Sequence, residues 1–450
     1  MMRSITAISD YVDSLYPKFG INKRHEIARL LYEIARREKV AYDRILDEPM
    51  RACNNFFTVK AALVRRRYPE LHHEDLKHLG PLTQLIDDEG ACVDIPNLRL
   101  WDPQQVFYER SLRDSDFLHR LKAKLPSVPF EEILSYKEYV HTARFDIATY
   151  NQRRKQLFVI QERYDLFLQC PCSKSAQACG YDILNAGIGC AFDCAYCFLQ
   201  GYVNAPGIVI PGNLDEILAG FPAYHRPGMR LGTGQFTDSL VFDHLTGFSS
   251  TMINFFRCYS DMTFELKTKS DQIQNILATP ASDNIVISWS LNPPEIIQEA
   301  ELLTATLPQR LEAARQCVSA GYHVGFHFDP IIYYAGWEKA YQGVVDLIFE
   351  KIQANQISWI SLGCLRMTVK LRQTIERRFP ETRLLDAPHI IGFDDKLRYP
   401  SWLRQEIYTR MFSWIHQHSR SVPVYLCMED REMNRHFGVI PFSQKRGQDD

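Results

Sequence analysis

The sequence lacks the long apolar runs of a membrane protein and the excess positive charge of a protein that coats nucleic acid. Its 450 residues contain no run of 18 or more apolar residues, so no membrane-spanning helix is predicted. Lys and Arg total 52 against 54 Asp and Glu, a balance that argues against binding nucleic acid by bulk positive charge. We find no fixed-period repeat and no low-complexity tract. The first residues lack the charged and apolar segments of a secretory signal, and we therefore expect a cytoplasmic protein.

The cysteines are distributed unevenly along the sequence. Six of the 12 cysteines fall between residues 170 and 197. A chain of this size, with 46% hydrophobic residues, can bury a large core and does not need a disulfide scaffold. Clustered cysteines in such a chain indicate metal or redox chemistry. The clustered residues are Cys170, Cys172, Cys179, Cys190, Cys194 and Cys197.

Hydrophobic periodicity separates a mainly helical N-terminal region from a region of alternating strands and helices. From about residue 180, six β-rich runs recur at spacings that suit βαβ crossovers and a parallel sheet. These runs are 182–186, 229–232, 263–268, 285–291, 323–328 and 359–362. Six units are too few for a closed eight-stranded barrel, so we predict an α/β fold with an open, partial TIM-type barrel. The expected division is a helical accessory region over 1–165, the barrel over 166–437 and a tail over 438–450.

The triplet Cys190, Cys194 and Cys197 follows the first of these runs, where a βα barrel collects its chemistry. Three thiolates at this spacing can bind three irons of a [4Fe–4S] cluster and leave the fourth iron open. Zinc is the alternative, because structural zinc sites take four ligands, often as CxxC pairs, and the cysteines at 170–179 could complete one. The aromatic Tyr196 and the position after the first strand favour the cluster.

With these residues in place, the chain resembles the radical S-adenosylmethionine (SAM) superfamily and, more closely, the spore photoproduct lyase family. The resemblance runs from about residue 167 to residue 437 and rests on separated motifs. Besides the cysteine triplet with Phe198-Leu-Gln, these are Cys179-Gly-Tyr-Asp-Ile-Leu-Asn, Thr237-Asp238, Asp243-His-Leu-Thr246, Lys269, Ser290-Leu-Asn292, Arg310-Leu-Glu-Ala-Ala, Ala320-Gly-Tyr-His-Val-Gly325, Asp329-Pro-Ile and Gly336-Trp-Glu.

The resemblance implies a [4Fe–4S] cluster that reductively cleaves SAM to a 5′-deoxyadenosyl radical, which abstracts a hydrogen atom from substrate. It also implies a flavodoxin- or ferredoxin-like electron donor and, as substrate, a thymine lesion in DNA. The implied cofactor-binding residues lie near strand ends: Tyr196, Gly232, Gly234, Thr237, Lys269, Ser290 and Asn292. Taken alone, Lys269 could equally be a solvated charge, and Ser290 a strand hydroxyl bonded to backbone.

The chain departs from the family at one position. In the lyase that repairs spore photoproduct, a cysteine three residues before the Asp of the Thr-Asp step returns a hydrogen atom to the product radical. Here that position is Gln235, whose amide is no hydrogen-atom donor. Cys364, after the sixth strand, is a candidate substitute donor or else a buried structural cysteine. Tyr399, near a family segment that approaches substrate, is a second candidate catalytic residue.

Several alternatives stay open at this point. The same radical chemistry could act on a different substrate, or the chain could be a non-catalytic zinc or iron–sulfur binding protein. Cys170, Cys172 and Cys179 could bind a further metal or pack as loop residues. Two basic clusters, Arg65-Arg66-Arg67 and Arg153-Arg154-Lys155, could contact phosphates, although the first also suits a solvated helix end.

Overall fold

The computed structural model divides the chain into two compact units. Unit 1 comprises Met1–Cys92 and Arg366–Ser401, and unit 2 comprises Val93–Leu365 and Trp402–Asp450. The residues described are 5–72, 74–82, 101–142, 154–163, 166–172, 176–177, 179–202, 205–379 and 382–439.

Unit 1 is built mainly of helices. Its described helices are Ile5–Leu15, Ile21–Glu38, Glu48–Arg51, Phe56–Arg67 and Val369–Arg378, with 3₁₀ turns at Tyr42–Arg44, Asp75–His78 and Arg383–Leu385. In the helix Ile21–Glu38 the side chains of Ile27, Leu30, Leu31 and Ile34 are buried in one apolar cluster, as their helical spacing predicts. The N-terminal part of the chain is therefore helical, as expected from the sequence.

The later segment of unit 1 is joined to the earlier one by backbone pairing. Arg366–Met367, Leu397–Arg398 and Ile390–Ile391 form a three-stranded antiparallel sheet in the order given. Leu79 bridges to Ile390, and the Gly80 amide donates to the His389 carbonyl at 2.9 Å. These contacts make residues 366–401 part of the helical unit although they lie far away in sequence.

A buried ionic network runs through the same unit. The Glu33 carboxylate is 3.0 Å from both Arg29 and Arg67 and 3.8 Å from Arg372. Glu376 lies 2.6 Å from Arg29 and 3.0 Å from Arg372. Glu33 is only 4% exposed, so its charge is held almost entirely by these guanidinium groups.

Unit 2 contains a four-stranded parallel sheet that the sequence analysis missed. Its strands are β1 (Gln105–Glu109), β2 (Phe130–Ile133), β3 (Gln156–Ile160) and β6 (Ile208–Pro211), in the order β2-β1-β3-β6. Part of the predicted helical region is therefore strand. Strands such as β3, buried along most of their length, read as continuous apolar runs and lack the alternation that marks a half-exposed strand.

The larger sheet of unit 2 is the predicted partial barrel. It contains β4 (Phe167–Gln169), β5 (Tyr181–Leu184), β7 (Arg230–Gly232), β8 (Thr263–Thr268), β9 (Ile285–Ser290), β10 (His323–Ile331), β11 (Ile357–Cys364) and β12 (Val424–Leu426). The order is β12-β11-β10-β9-β8-β7-β5-β4, and all pairs are parallel except β4 with β5. The six predicted strands are all present, and the sheet continues by one strand at each edge.

Helices connect the strands of this unit. The described ones are Asp116–Lys124, Tyr136–Thr142, Leu199–Tyr202, Leu214–Ala219, Asp243–Thr246, Phe248–Phe256, Gln274–Leu277, Pro294–Ala300, Leu307–Ser319, Trp337–Lys351, Ser401–His418 and Arg431–His436. Because consecutive parallel strands are linked by such crossovers, the carboxyl ends of β5 and β7–β11 lie along one edge of the sheet. That edge is where the candidate site residues fall.

The predicted division of the chain differs from the compact units. Residue 165 lies inside unit 2, between β3 and β4, and the unit boundaries fall after Cys92, Leu365 and Ser401. Of the predicted tail, residues 440–450 lie outside the described residues. None of the described helices is both long and apolar enough to cross a membrane.

Candidate active site

The loop that carries the cysteine triplet leaves the carboxyl end of β5 and is anchored by backbone hydrogen bonds. Cys194 forms an isolated bridge with Glu301, and the Ala195 amide donates to the Ala300 carbonyl at 2.7 Å. On the other side, the Gly189 amide donates to the Phe236 carbonyl at 2.8 Å. The loop is therefore fixed to the segments that follow β9 and β7.

Two side chains complete this anchoring. The Gln200 amide nitrogen donates to the carbonyls of Cys194 at 3.0 Å and Ala195 at 2.8 Å. Asp193, fully buried, lies 3.6 Å from the Arg154 guanidinium. Arg154 is thus tied to the cysteine loop instead of being available to a phosphate.

The three thiols of the triplet lie near one another and differ in burial. Cys194 is buried, whereas Cys190 and Cys197 are partly exposed. Burial raises the pKa of Cys194, Lys269 opposes this effect, and the nearby thiols of Cys197 and Cys190 add to it. Among the described residues, no three His, Cys, Asp or Glu side chains are already gathered at the spacing of a single bound ion. A cubane cluster places each thiolate on a different iron, so it does not need the sulfurs to meet at one point.

A buried carboxylate, Glu301, organises the loop and its neighbours. Its Oε1 accepts hydrogen bonds from the Tyr196 hydroxyl and from the Asn292 amide at 2.9 Å, and its Oε2 accepts from Arg310 at 2.5 Å. Asn292 in turn accepts from the Tyr341 hydroxyl at 2.6 Å. The side chains of Tyr196 and Asn292 are thereby held in fixed positions beside the cysteine loop.

The Glu301 carboxylate also affects the charge state of Lys269. Burial alone would raise the pKa of Glu301, but Arg310 and Lys269 more than offset it, so the pKa lies below its ordinary value. Burial lowers the pKa of Lys269, and Glu301 with Cys194 outweighs that effect and raises it. The Lys269 amino group also lies 5.9 Å from the centre of the Tyr196 ring. A charged lysine and a charged glutamate thus flank the triplet.

The segment after β7 is shaped by Asp238. One carboxylate oxygen accepts from the Thr268 hydroxyl at 2.6 Å and from the Leu240 amide at 2.9 Å, and the other from the Lys269 amide at 2.7 Å. Beside it, the Thr237 hydroxyl oxygen is buried and has no hydrogen-bond partner among the described residues. Asp238 therefore fixes the backbone on either side of two predicted SAM contacts, Thr237 and Lys269.

The two glycines predicted to admit a ligand also have local reasons to be glycine. A Cβ atom on Gly232 would overlap the Tyr181 hydroxyl, at 1.8 Å. Gly234 has a φ of +95°, in the left-handed region, and a Cβ there would lie 3.0 Å from the Lys267 carbonyl oxygen. Their contact with a cofactor stays a prediction.

The remaining predicted residues occupy varied environments. Ser290 is 6% exposed at the end of β9, and its carbonyl accepts from Arg310 at 2.8 Å. Cys364 is buried at the end of β11, and its amide donates to the Tyr408 hydroxyl at 3.0 Å. Tyr399 belongs to unit 1, where it is fully buried against the His389 ring. The catalytic roles of Cys364 and Tyr399 stay predictions.

Each of the two predicted basic clusters contains one arginine that is buried in an ion pair, Arg67 and Arg154. Arg66 pairs with Glu38 at 2.7 Å, and Arg67 is 2% exposed and paired with Glu33. The expectation that the whole 65–67 cluster contacts phosphate, or is a solvated helix end, is therefore wrong for Arg67. In the second cluster Arg154 is buried, and Arg153 lies outside the described residues.

Sequence reasoning missed the role of two residues at this site. Arg310 stood in a family motif but was given no function, and Glu301 carried no sequence signal. The Glu301 side chain reaches Tyr196 and Asn292 only because the fold brings together segments 105 and 9 residues away. The arginine in the motif that begins at Arg310 was the one available hint, because an arginine that becomes buried needs a carboxylate partner.

These features define a class: partial-barrel α/β proteins with a cysteine loop at the carboxyl end of a parallel strand. A family model described as spore photoproduct lyase matches residues 102–402, which is more than half of the chain. The chain belongs to the spore photoproduct lyase family. The predicted family is thereby confirmed.

Curated relatives cover part of the chain. It is 27% identical over 201 residues to a spore photoproduct lyase of Clostridium acetobutylicum, which covers 44% of this chain and 60% of that protein. It is 28% identical over 226 residues to a spore photoproduct lyase of a Geobacillus species, with 49% and 64% covered. The chain thus matches about three-fifths of the length of these relatives.

Solved structures agree in fold. A spore photoproduct lyase complexed with dinucleoside spore photoproduct superposes with a TM-score of 0.64 at 24% identity, covering 73% of this chain and 99% of that chain. A mutant of the lyase with bound AdoMet and the same dinucleoside gives a TM-score of 0.63 over the same fractions. The predicted α/β partial barrel is therefore confirmed.

Proposed function

We propose that this chain is a radical SAM enzyme in which Cys190, Cys194 and Cys197 bind a [4Fe–4S] cluster. The observation that carries the proposal is the anchored loop of three thiols at the carboxyl end of β5, beside the ends of β7, β8 and β9. When bound, the cluster and SAM supply the 5′-deoxyadenosyl radical that abstracts hydrogen from substrate. A flavodoxin- or ferredoxin-like donor in the cytoplasm would supply the electron.

The residues around the triplet suit this cofactor. The partnerless hydroxyl of Thr237 and the buried side-chain oxygen of Asn185, also partnerless among the described residues, are available to polar groups of SAM. Lys269 keeps a positive charge next to Cys194, which favours the thiolate form that binds iron. The Tyr196 hydroxyl donates to Glu301, which holds the cysteine loop in a fixed conformation.

We propose a thymine lesion in DNA as the substrate class. Three aromatic rings lie beside the triplet: Phe198, Tyr202 and Phe236. Phe198 is 41% exposed and Tyr202 67%, and the Tyr202 and Phe236 rings stack at 5.5 Å. Exposed aromatic faces bind unpaired bases by stacking, which requires no large positive charge. This mode is compatible with the net charge of −2.

A second candidate function keeps the radical chemistry and changes the substrate. Gln235 favours it, because an amide does not return a hydrogen atom to a carbon radical. Gln235 precedes Phe236, whose carbonyl is bonded to the cysteine loop, so it lies within the site. If the substrate is a thymine lesion, another group such as Cys364 must supply that hydrogen atom.

The decisive experiment is anaerobic reconstitution with iron and sulfide, followed by dithionite and SAM. We expect about four irons per chain and formation of 5′-deoxyadenosine. Substitution of Cys190, Cys194 and Cys197 by Ala should abolish both, whereas Cys317→Ala, a buried cysteine on the helix Leu307–Ser319, should retain them. Wild-type protein that binds iron but forms no 5′-deoxyadenosine would disprove the enzymatic proposal.

The substrate arm adds oligonucleotides, irradiated or not, to the same assay. Lesion-dependent loss of SAM supports the DNA substrate, and turnover that ignores the oligonucleotides supports the second candidate. Phe198→Ala with Tyr202→Ala should weaken binding of irradiated single strands by about 10-fold or more, at unchanged iron content. Binding that is unaffected by this double substitution would contradict the stacking role.

A further inference from the structure

The second group of cysteines lies at the two edges of the eight-stranded sheet. Cys170 directly follows β4, which is one edge strand, and Cys427 directly follows β12, which is the other. Cys172 and Cys179 lie on the segment between β4 and β5. Four of the described cysteines are thus distributed over both edges of one open sheet.

Backbone and packing contacts bring these two edges together. The Gln177 amide donates to the Glu429 carbonyl at 2.8 Å, two residues away from Cys427. Cys179 packs against the apolar cluster of Val286, Trp359 and Tyr425, and Tyr425 belongs to β12. The segment that carries Cys179 therefore touches the segment that carries Cys427.

The thiols themselves are close. The Cys172 sulfur donates to the Cys170 sulfur at 3.7 Å, and the Cys172 amide donates to the Cys170 carbonyl at 2.7 Å. Tyr425, which packs against Cys179, lies two residues before Cys427 in the sequence. The Cys170–Cys172 pair is therefore close, and Cys179 and Cys427 lie on segments that contact each other.

We propose that Cys170, Cys172, Cys179 and Cys427 bind a zinc ion as four thiolate ligands. With Zn–S bonds of about 2.3 Å, two sulfurs of a tetrahedral site lie about 3.8 Å apart. The sulfurs of Cys170 and Cys172 are already at 3.7 Å. A cubane cluster would place them on separate irons, so their contact favours a single ion.

The fold places the four cysteines on neighbouring segments, but not all of their sulfurs are at the distances that a bound zinc ion requires. Among the described residues, no three His, Cys, Asp or Glu side chains are at the spacing of a single bound ion. Metal binding releases the thiol protons and draws Cys179 and Cys427 toward the Cys170–Cys172 pair. No further chain is needed, since a structural zinc site is complete with four protein ligands.

The surrounding charge suits such a site. Four thiolates and Zn²⁺ leave a net charge of −2, which needs compensation in a buried place. The Arg230 guanidinium is 5% exposed and lies 5.3 Å from the centre of the Tyr425 ring. Cys179 packs against the rings of Trp359 and Tyr425, and the same guanidinium lies 4.2 Å from the centre of the Trp359 ring. A buried cation therefore adjoins the proposed thiolates.

The ion would cross-link the two edge strands of the partial barrel. It would join β4 to β12 and close a very long loop of chain, a link that restricts the unfolded state strongly. This role is separate from the cysteine triplet, which leaves a coordination position open for chemistry.

The test measures zinc and iron per chain in protein made in zinc-replete medium and purified without oxygen. We expect one zinc in the wild-type chain and loss of about nine-tenths of it in Cys172→Ser and Cys427→Ser, with iron content unchanged. Cys258→Ser, which alters an exposed cysteine elsewhere, should keep both metals. Replacing Cys190, Cys194 and Cys197 by Ser should remove iron and keep zinc, which separates this proposal from the enzymatic one.

A cobalt titration of the zinc-free wild-type chain covers the case in which Cys427→Ser does not fold. Co²⁺ should give the sulfur-to-metal absorption of four thiolates, and zinc should displace it. The proposal is overturned by zinc that the cysteine variants retain, by a cobalt spectrum of fewer than four thiolates, or by about eight irons with no zinc, which would indicate a second cluster.

Discussion

Glu33 in unit 1 and Glu301 in unit 2 are both buried beside positive charges, and the two sites differ in the other side chains that they contain. Glu33 in unit 1 is surrounded by Arg29, Arg67 and Arg372. Glu301 in unit 2 is paired with Arg310 and also accepts from Tyr196 in the cysteine loop. In both cases burial would raise the pKa, and the neighbouring cations bring it below its ordinary value.

The difference shows that similar electrostatics can serve two purposes. The Glu33 carboxylate pairs with arginines on its own helix and on two others, so its charge holds these helices together. The Glu301 carboxylate instead fixes Tyr196 and Asn292 and sustains the charge on Lys269. Buried ion pairs often contribute little net stability. We therefore read Glu301 as a positioning residue for the proposed active site and Glu33 as a packing residue.

The largest contrast should come from Glu301→Gln set beside Glu33→Gln. Because the amide pairs poorly with Arg310 and no longer sustains the charge on Lys269, we expect SAM cleavage per bound cluster to fall about 10- to 100-fold in Glu301→Gln. Glu33→Gln should cleave SAM at the wild-type rate per folded chain. The measurement is 5′-deoxyadenosine formation at matched iron content, and equal losses in the two variants would erase the distinction.

The next largest effect should be on the free energy of unfolding. Glu33→Gln leaves Arg67 and Arg372 buried without their shared carboxylate, and removing one partner of a buried network costs about 3–5 kcal/mol. Protection of the Ile21–Glu38 amides against hydrogen exchange reports this directly. The matched control is Glu312→Gln on the exposed Arg315 pair, where we expect no measurable change. Equal protection in wild type and Glu33→Gln would refute the packing role.

A pH series tests the same contribution of Glu33 to stability. The pKa of Glu33 is about 2 in the folded chain against an ordinary value of 4.5, since burial is outweighed by Arg67, Arg29 and Arg372. A depressed folded pKa gives stability that is present above pH 4.5 and lost as the pH falls toward 2. The advantage of wild type over Glu33→Gln should therefore shrink by about 3 kcal/mol across this window. An advantage that stays constant from pH 6 to pH 2.5 would exclude this linkage.

The smallest effect should come from Tyr341→Phe, which acts one step away from Glu301. The lost hydroxyl donates to Asn292 and accepts from the Ile332 amide at 2.8 Å. We expect about 1 kcal/mol of lost stability and only a few-fold slower SAM cleavage, read by thermal unfolding and the same product assay. A loss of activity as large as that of Glu301→Gln would place Tyr341 in the site itself.

The sequence predicted the features that depend on local pattern. The six barrel strands follow from periodicity, and the cysteine triplet from its spacing and family motifs. The four-stranded sheet was missed because buried parallel strands lack alternation, and the segments around them read as helix. The sequence therefore predicted the fold class of the barrel correctly and missed one strand at each edge of its sheet.

What sequence reasoning could not supply is pairing across long separations. Glu301 meets Tyr196, and Cys427 nears Cys170, only after the sheet has formed. Arg67 likewise looked like part of a surface cluster, although its partner Glu33 lies a helix away. Each of these depends on which element packs beside which, a choice that no local pattern encodes.

The position of β6 limits how this chain can be cut. In sequence β6 lies between β5 and β7, which are neighbours in the large sheet, yet it pairs with β3 in the small one. A fragment that starts at residue 166 would remove β1, β2 and β3 and leave the side of β6 that faces β3 without a partner strand, with only the Ile188–Val209 bridge kept on the other side. The small sheet is therefore no detachable module, and we expect a barrel expressed without it to aggregate.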